Sequence, residues 1–410
     1  MAQETSTPTN SASDPAMGVL AGLKIVDCTR VLGGPFCTQW LGDHGADVVK
    51  VEPPRGDETR GWGPPFLADD ASYFLGVNRS KRGIALDLSG TEGQAVLRRM
   101  LADADVLIEN FKPGTLEKWG MGHATLKEEF PRLIHARISG FGADGPFGGL
   151  PGYDAIIQAQ AGLMSINGER ERSPLRLGTP IVDIATGISA AFGIMAALYE
   201  RQRSGQGQFV ETSLYDVACS LLHPHAANYF LNGKTPMRNG NPHPNIVPYD
   251  MFRCGDDQVF VGTGNDRQFR KLCTVLGDPA LADDPRFTTN ADRYAHTHEL
   301  RERLEARLAD KNAETICQEL MAVGVPAGPV NDIPTVVDHP HTLARDMRID
   351  IDDYRGLGNP VKFSRTPAQM TRKPPRFGQD TRAVLAELGY SEQEIQAMID
   401  AGAAVAGTPS

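Results

Sequence analysis

The sequence lacks the short motifs that mark the commonest nucleotide, metal and hydrolase sites. Its six cysteines are scattered without a Cys-x-x-Cys pair, which argues against a disulfide framework and a structural zinc site. No P-loop, complete three-glycine dinucleotide turn or Gly-x-Ser-x-Gly elbow is present, which disfavours P-loop enzymes, dehydrogenases and serine hydrolases. Five histidines, His223, His225, His243, His339 and His341, lie beside prolines, without a third ligand at metal-binding spacing. The sequence therefore predicts no metal and no permanently bound cofactor.

Basic blocks and long apolar runs are also missing. The net charge is −10, so we expect no nucleic-acid partner. Residues 1–18 are rich in Ser, Thr, Pro, Asn and Ala and lack a basic start and an apolar core, which predicts a disordered leader and not a signal peptide. The most apolar segment, after Gly178, is interrupted by Asp183 and two glycines. We therefore predict a cytoplasmic protein with no membrane partner.

Strand and helix patterns alternate through the first half of the chain. Short apolar runs predict strands at 23–27, 47–51, 83–88, 105–109 and 133–138, with helices between them, for example at 91–102. This alternation is typical of an α/β fold with a doubly wound parallel sheet. Ligands of such sheets bind beyond the carboxyl ends of the strands, which places the turns at 29–35, 52–61 and 110–114 around one crevice.

The composition changes after residue 222 and indicates a second domain. Residues 223–250 are rich in Pro, Asn, His and Gly, which predicts a linker after a large domain at 19–222. Residues 251–328 predict a smaller α+β domain, with a strand at 258–262 and amphipathic helices at 266–276, 298–309 and 313–322. Residues 329–410 then form a return linker and the C-terminal part of the large domain, ending in a helix at 381–388 and a capping box from Ser391 to Glu394.

The apolar segment after Gly178 predicts a long helix, because its apolar residues recur at helical spacing nearly all round. Such a helix is expected to be buried. Asp183 lies near its start, where an aspartate commonly caps the free backbone N–H groups. The alternative is functional, because a helix N-terminus favours an ionised carboxylate and offers amides to an oxyanion. Asp183 is therefore a candidate nucleophile.

A short basic run, Asn78-Arg-Ser-Lys-Arg82, precedes one predicted strand. One interpretation is a solvated turn, and the other is a seat for the phosphates of a ligand.

Several motifs in order then indicate a family. They are Gly22-Leu-Lys-Ile-Val-Asp27, Gly45-Ala-Asp-Val-Val-Lys-Val-Glu52, the basic run, Asp105-Val-Leu-Ile-Glu-Asn-Phe-Lys-Pro-Gly114, Pro151-Gly-Tyr-Asp154, Arg201-x-x-Ser-Gly-x-Gly-Gln208, Gly240-Asn-Pro-His-Pro244 and Leu385-x-x-Leu-Gly-Tyr390. From about Leu20 to about Gly402 the sequence resembles the class III coenzyme A transferases, the family of formyl-CoA and carnitine CoA-transferases.

The resemblance implies an interlocked homodimer that exchanges CoA between an acyl-CoA and a small carboxylic acid. By matching position, Asp183 is the nucleophile that forms a covalent aspartyl-CoA intermediate, and Asp154 is the supporting acid. Coenzyme A contacts match Leu32, Gly33, Leu86, Asp87, Leu88, Ser89, Asn110, Phe111, Lys112, Lys118 and Tyr153.

Departures from the family pattern bear on the substrate. Formyl-CoA transferases carry Gln where this chain has Leu32, and their glycine-rich lid is missing here. The region 240–249 is similar to relatives that use succinyl-CoA and other dicarboxylic acids, whose free carboxylate needs a cation such as Arg30, Arg60 or Arg238.

Two alternatives share the expected fold. An α-methylacyl-CoA racemase pairs its Asp with a His where this chain has Tyr153, and proton relay needs two bases. A non-catalytic CoA-binding protein would lose the nucleophile. The residues present favour the transferase.

Overall fold

The computed structural model describes residues 18–407, so the predicted leader lies outside the described residues except for its last one. The strands are β1 Lys24–Cys28, β2 Asp47–Glu52, β3 Phe66–Leu67, β4 Asp70–Ala71, β5 Lys81–Leu86, β6 Val106–Glu109, β7 Ile134–Ser139, β8 Phe209–Ser213, β9 Tyr249–Cys254, β10 Asp257–Gly262, β11 Ala327–Pro329, β12 Arg348–Ile351, β13 Tyr354–Leu357 and β14 Ala404–Val405. The helices are α1 Gly33–Asp43, α2 Ser72–Leu75, α3 Thr91–Leu101, α4 Thr115–Lys118, α5 His123–Glu129, α6 Asp154–Gln160, α7 Leu163–Ile166, α8 Ile181–Ser204, α9 Leu214–Ser220, α10 His225–Asn232, α11 Asp266–Val275, α12 Asn290–Ala295, α13 Thr297–Leu308, α14 Ala313–Ala322, α15 Ile333–Val337, α16 Pro340–Ala344, α17 Thr381–Glu387 and α18 Glu392–Asp400.

The main sheet has seven strands in the order β14-β5-β2-β1-β6-β7-β8. Each neighbouring pair is parallel except β14 and β5, which are antiparallel. Its central strands are almost wholly buried, as expected for a parallel sheet covered on both faces, and they carry some charged residues among the apolar ones. The predicted α/β class with a parallel sheet is confirmed.

Strand β1 is the point where the strand order reverses. The chain passes from β1 to β2 and β5 on one side, and then to β6, β7 and β8 on the other. A crevice forms at such a point because the turns leaving the two central strands run in opposite directions. The turns that follow β1 and β6 therefore meet at this edge of the sheet.

The chain divides into two compact units. Unit 1 contains the described residues up to Ile157, Thr179–Cys219 and the chain from Pro340 onward, and it holds the main sheet. Unit 2 contains Gln158–Gly178 and Ser220–His339. Its antiparallel sheet has the order β11-β10-β9, and its core includes Phe252, Val259, Phe269, Leu304 and Leu320. Residues 158–178 thus group with unit 2, and the predicted linker at 223–250 includes helix α10.

Helix α8 is buried on one face only. Its buried side includes Val182, Thr186, Ala190, Ile194 and Ala197, and the helix packs against α1. The opposite side carries an apolar stripe of exposed residues, Ile188, Phe192, Met195 and Tyr199. The expectation of a helix buried all round is therefore wrong for the single chain. By length and composition alone α8 could also cross a membrane, a test that core helices of soluble proteins meet too.

Three of the five residues of the basic run at 78–82, which overlaps the start of β5, are buried within unit 1. Asn78, Arg79 and Lys81 are at most 2% exposed. Arg79 pairs with Asp43 at 2.7 Å, and Lys81 pairs with Asp27 at 3.1 Å. Both interpretations of this run, a solvated turn and a phosphate seat, are wrong, because these charges are enclosed with carboxylates of their own chain. Burial lowers the pKa of Lys81 to about 8.

Candidate active site

The N-terminus of α8 is capped by a residue from another helix. The Asp154 carboxylate accepts hydrogen bonds from the backbone N–H of Val182, at 2.8 Å, and of Asp183, at 3.2 Å. Asp154 thus performs the capping that the sequence pattern offered to Asp183. Within residues 18–407, no group donates a hydrogen bond to the Asp183 carboxylate. The two aspartates therefore have different tasks, and the Asp183 carboxylate stays available for chemistry.

Burial raises the pKa of the Asp183 carboxyl to about 7, and the negative charge of Asp154 raises it further. This direction runs against the expectation that the helix N-terminus holds the carboxylate ionised, because burial and the charge of Asp154 both disfavour the charged form. Near neutral pH the group is close to half ionised.

The turn after β1 lies against this carboxylate. A Cβ atom placed on Gly33 would be 3.2 Å from the backbone oxygen of Asp183 and 3.7 Å from its Oδ1. A Cβ on Gly187 would be 2.5 Å from the oxygen of Gly33, so α1 and α8 cross in close contact. Among the described residues, no side chain caps the start of α1. Gly33, at the start of α1, thus lies against Asp183, and its N–H has no side-chain partner among the described residues.

Two cavities flank the turns that follow β1 and β6. The first, which we name the Asp183 cavity, has a volume of about 300 Å³, and the second, the Ser89 cavity, about 510 Å³. Both volumes fall in the range of ligand sites in proteins. Arg30, Phe111 and Lys112 contribute to the walls of both cavities. The two cavities therefore adjoin each other.

The predicted contact residues divide between the two cavities. Leu32, Gly33, Asn110, Tyr153 and Asp183 line the Asp183 cavity. Leu86, Asp87, Leu88 and Ser89 line the Ser89 cavity, and Phe111 and Lys112 line both. Lys118 is exposed on α4 and lines neither cavity. Its neighbour Trp119 lines the Ser89 cavity instead. The roles of these residues as coenzyme A contacts remain predictions.

Tyr73 lies within electrostatic range of the two aspartates, although no motif marked it. Burial and the nearby carboxylates of Asp183 and Asp154 raise the pKa of Tyr73 to about 12. Its ring also packs edge to face on Trp62, with centroids 5.2 Å apart. Tyr73 lies in the short helix α2, and a single Tyr in a short segment carries no periodic signal. Only the folded chain brings it close to the two aspartates.

The structure separates the three cations considered for a substrate carboxylate. Arg60 is buried and occupied by Glu52, at 2.6 Å, and by Asp70, at 2.6 Å. Arg238 lies in unit 2 and donates to backbone oxygens there. Arg30 lines the Asp183 cavity and is 3.3 Å from Glu58, which lines the same cavity. Of the three, Arg30 is the one beside Asp183.

Residues 20–381 match CoA-transferase family III. The chain belongs to this family, whose members are transferases acting on CoA thioesters, and the predicted resemblance and enzyme class are confirmed. It is 41% identical over 386 residues to the succinate–glutarate CoA-transferase of Agrobacterium fabrum, covering 91% of this chain and 96% of that protein. It is 40% identical over 349 residues to the acetyl-CoA:oxalate CoA-transferase of Acetobacter aceti, covering 85% and 90%. The crystal structure of a CAIB/BAIF family protein from Brucella suis matches with a TM-score of 0.82 at 42% identity, covering 91% of this chain and 100% of that one.

Proposed function

We propose that this enzyme moves coenzyme A between succinyl-CoA, or a similar dicarboxylyl-CoA, and a carboxylic acid through a covalent intermediate on Asp183. The observation that carries the proposal is that the two aspartates, Asp154 and Asp183, have different hydrogen-bond partners. Asp154 takes up the helix N–H groups, and this leaves a desolvated Asp183 carboxylate facing a cavity. The two similar enzymes are both named for dicarboxylic acids, which supports substrates of that class.

The chemistry needs only groups of this chain and the two substrates. An oxygen of ionised Asp183 attacks the thioester carbon, the C–S bond breaks, and CoA leaves as a thiolate from a mixed anhydride. The thiolate then attacks the Asp183 carbonyl carbon, and the donor acid leaves with the bridging oxygen. The acceptor acid reverses both steps on the aspartyl-CoA thioester. Protons are neither consumed nor released, since one carboxylate replaces another.

Each addition step places negative charge on a carbonyl oxygen. We propose that the uncapped N–H of Gly33, at the start of α1, donates a hydrogen bond to this oxygen, because Gly33 lies against Asp183. Donors that are already in place stabilise such charge without reorganisation, and removing one typically costs about 10²-fold in kcat.

Coenzyme A is proposed to span both cavities, with its thioester in the Asp183 cavity. The Ser89 cavity offers Arg55 and Lys112 for phosphate groups and the apolar faces of Leu88 and Trp119 for the base. Phe111 lines both cavities, and its ring packs edge to face on Trp119 with centroids 5.4 Å apart. In this proposal it flanks the part of coenzyme A that joins the phosphates to the thioester.

Arg30 is proposed to bind the second carboxylate of a dicarboxylic substrate. Its guanidinium is held by Glu58 at 3.3 Å, a long contact between partly exposed groups that an incoming carboxylate is able to replace. The Arg30→Met variant is expected to raise KM for glutarate by about tenfold, while KM for butyrate, which lacks that carboxylate, changes little. An equal rise for both acids would contradict this role.

We further propose a homodimer in the cytoplasm, with no nucleic-acid or membrane partner. The exposed apolar stripe of α8 supports a protein partner, because Phe192 is 75% exposed within it. Sedimentation of the purified protein tests the homodimer, and fractionation of producing cells tests the cytoplasmic location.

The covalent pathway is tested by trapping. The enzyme is incubated with succinyl-CoA and hydroxylamine, and peptides are mapped by mass spectrometry. A hydroxamate on the Asp183 peptide is expected, and it should be lost in Asp183→Ala and retained in Asp144→Ala, which changes an exposed aspartate outside the site. Unmodified Asp183 across several acyl-CoA donors would refute the pathway.

A further inference from the structure

Val31 has a backbone conformation that a branched side chain rarely adopts. Its φ is +70°, in the left-handed region, where Cβ crowds the following carbonyl oxygen. Val31 lies between β1 and α1, and Val31, Leu32 and Gly33 all line the Asp183 cavity. Such a conformation persists only where the surroundings impose it. The residues that hold this turn therefore determine where the amides beside Asp183 point.

The Asn110 side chain forms two hydrogen bonds with the backbone of Arg30, the residue that precedes Val31. Its Oδ1 accepts a hydrogen bond from the Arg30 N–H at 2.9 Å, and its Nδ2 donates to the Arg30 oxygen at 2.8 Å. Both polar atoms of the amide are thus engaged with one residue of the opposite turn. Rotation about the Arg30 backbone would break both bonds together.

The residue before Arg30 is held as well. The buried Lys50 ammonium donates to the Thr29 oxygen at 2.8 Å and pairs with Asp57 at 2.9 Å. Asp27 accepts from the Thr29 N–H at 2.9 Å and from its hydroxyl at 2.5 Å. The backbone is thus fixed at two successive residues immediately before Val31.

From this geometry we infer that Asn110 is a positioning residue, which holds the strained Val31 turn so that the N-terminus of α1 stays beside Asp183. The inference changes the expected role of Asn110, since its side chain is engaged with the turn from β1. It rests on the proposed function, because the benefit of the fixed turn is a reaction at Asp183.

A double-mutant cycle tests the inference. Asn110→Ala should lower kcat for transfer from succinyl-CoA to glutarate by about 100-fold with little change in KM, because a small misplacement of catalytic groups has that cost. Val31→Gly keeps the left-handed turn without strain. In the Val31→Gly background, the loss from Asn110→Ala should shrink to about tenfold, since removal of the strain is worth about one factor of ten. Urea unfolding should show coupling of the same sign.

The matched control is Asn359→Ala. Asn359 is buried, whereas Asn110 is half-buried, and the Asn359 amide donates to Asp43 at 3.2 Å and accepts from the Val361 N–H at 3.0 Å, away from the turn. Its effect should be the same in both backgrounds.

If Asn110→Ala does not fold, Asn110→Asp keeps the acceptor for the Arg30 N–H and replaces it in the cycle. Equal losses from the Asn110 variant in both backgrounds, in kcat and in unfolding, would overturn the inference. Failure of the Asp183 pathway is recognised separately, by an unmodified Asp183 peptide in the unsubstituted enzyme.

Discussion

Replacing Asp183 by Asn should make the protein more stable, and increasingly so as the pH rises. The change removes a half-buried negative charge and keeps the shape of the side chain. The pKa of Asp183 is raised from 3.8 to about 7, so the ionised form opposes folding. This destabilisation is absent below pH 3.8, grows as the pH rises toward about 7 and is complete above it.

The magnitude follows from the size of the pKa shift. The rise of the pKa from 3.8 to about 7 corresponds to about 4 kcal/mol at neutral pH, because a tenfold change in an equilibrium constant is worth about 1.4 kcal/mol. Near pH 5 only the unfolded state is mostly ionised, and the same linkage gives about 2 kcal/mol. Both values are upper limits, because the carboxyl faces a cavity that water enters.

Urea unfolding of the two proteins at both pH values measures this difference. Asp183→Asn should unfold at higher urea concentration than the parent, with a larger gain near pH 7 than near pH 5. Asp144→Asn, at an exposed position, is the control and should show no such pH-dependent gain. A variant that is no more stable at neutral pH would refute the reasoning that burial penalises the charge. Mass spectrometry must first exclude deamidation of the new Asn.

Three further outcomes are expected. Asp154→Asn keeps an acceptor for the α8 amides but loses the charge that raises the pKa of Asp183, so the rise of kcat/KM with pH should move to lower pH. Gly187→Ala should lower the free energy of unfolding by about 1–3 kcal/mol, because the added Cβ would be 2.5 Å from the Gly33 oxygen. Phe192→Glu should shift sedimentation toward the monomer, because a charge would be buried in the proposed contact.

Controls for these variants are available in the same chain. Gly61→Ala should have little effect on the free energy of unfolding, because nothing lies within 4 Å of its Cβ position. Tyr294→Glu changes another exposed aromatic residue, outside α8, and should leave sedimentation unchanged. An unshifted pH profile in Asp154→Asn, a stable Gly187→Ala protein, or equal sedimentation of the Phe192 variant and its parent would each contradict its prediction.

Much of the fold could be read from local patterns. The predicted strand at 47–51 is Asp47–Glu52, and the predicted helix at 313–322 is Ala313–Ala322. The capping box at Ser391 forms as expected. These elements depend on neighbours in the sequence, through apolar periodicity and side-chain caps, so the sequence is sufficient to locate them. The interpretation of the basic run was wrong because its surroundings depend on residues far away in the sequence. Charge alone does not reveal that Asp27 and Asp43 pair with it.

The sequence by itself determined the α/β class, the family, and Asp183 as the candidate nucleophile, because short apolar runs and ordered motifs record them directly. Only the tertiary structure decided that Asp154, 29 residues from Asp183, caps α8, that Tyr73 lies within electrostatic range of the two aspartates, and that Asn110, 80 residues from Arg30, forms hydrogen bonds with the strained turn. It also decided the raised pKa of Asp183. Desolvation and hydrogen-bond partners are set by segments far apart in the chain, and no local pattern encodes which of them will meet.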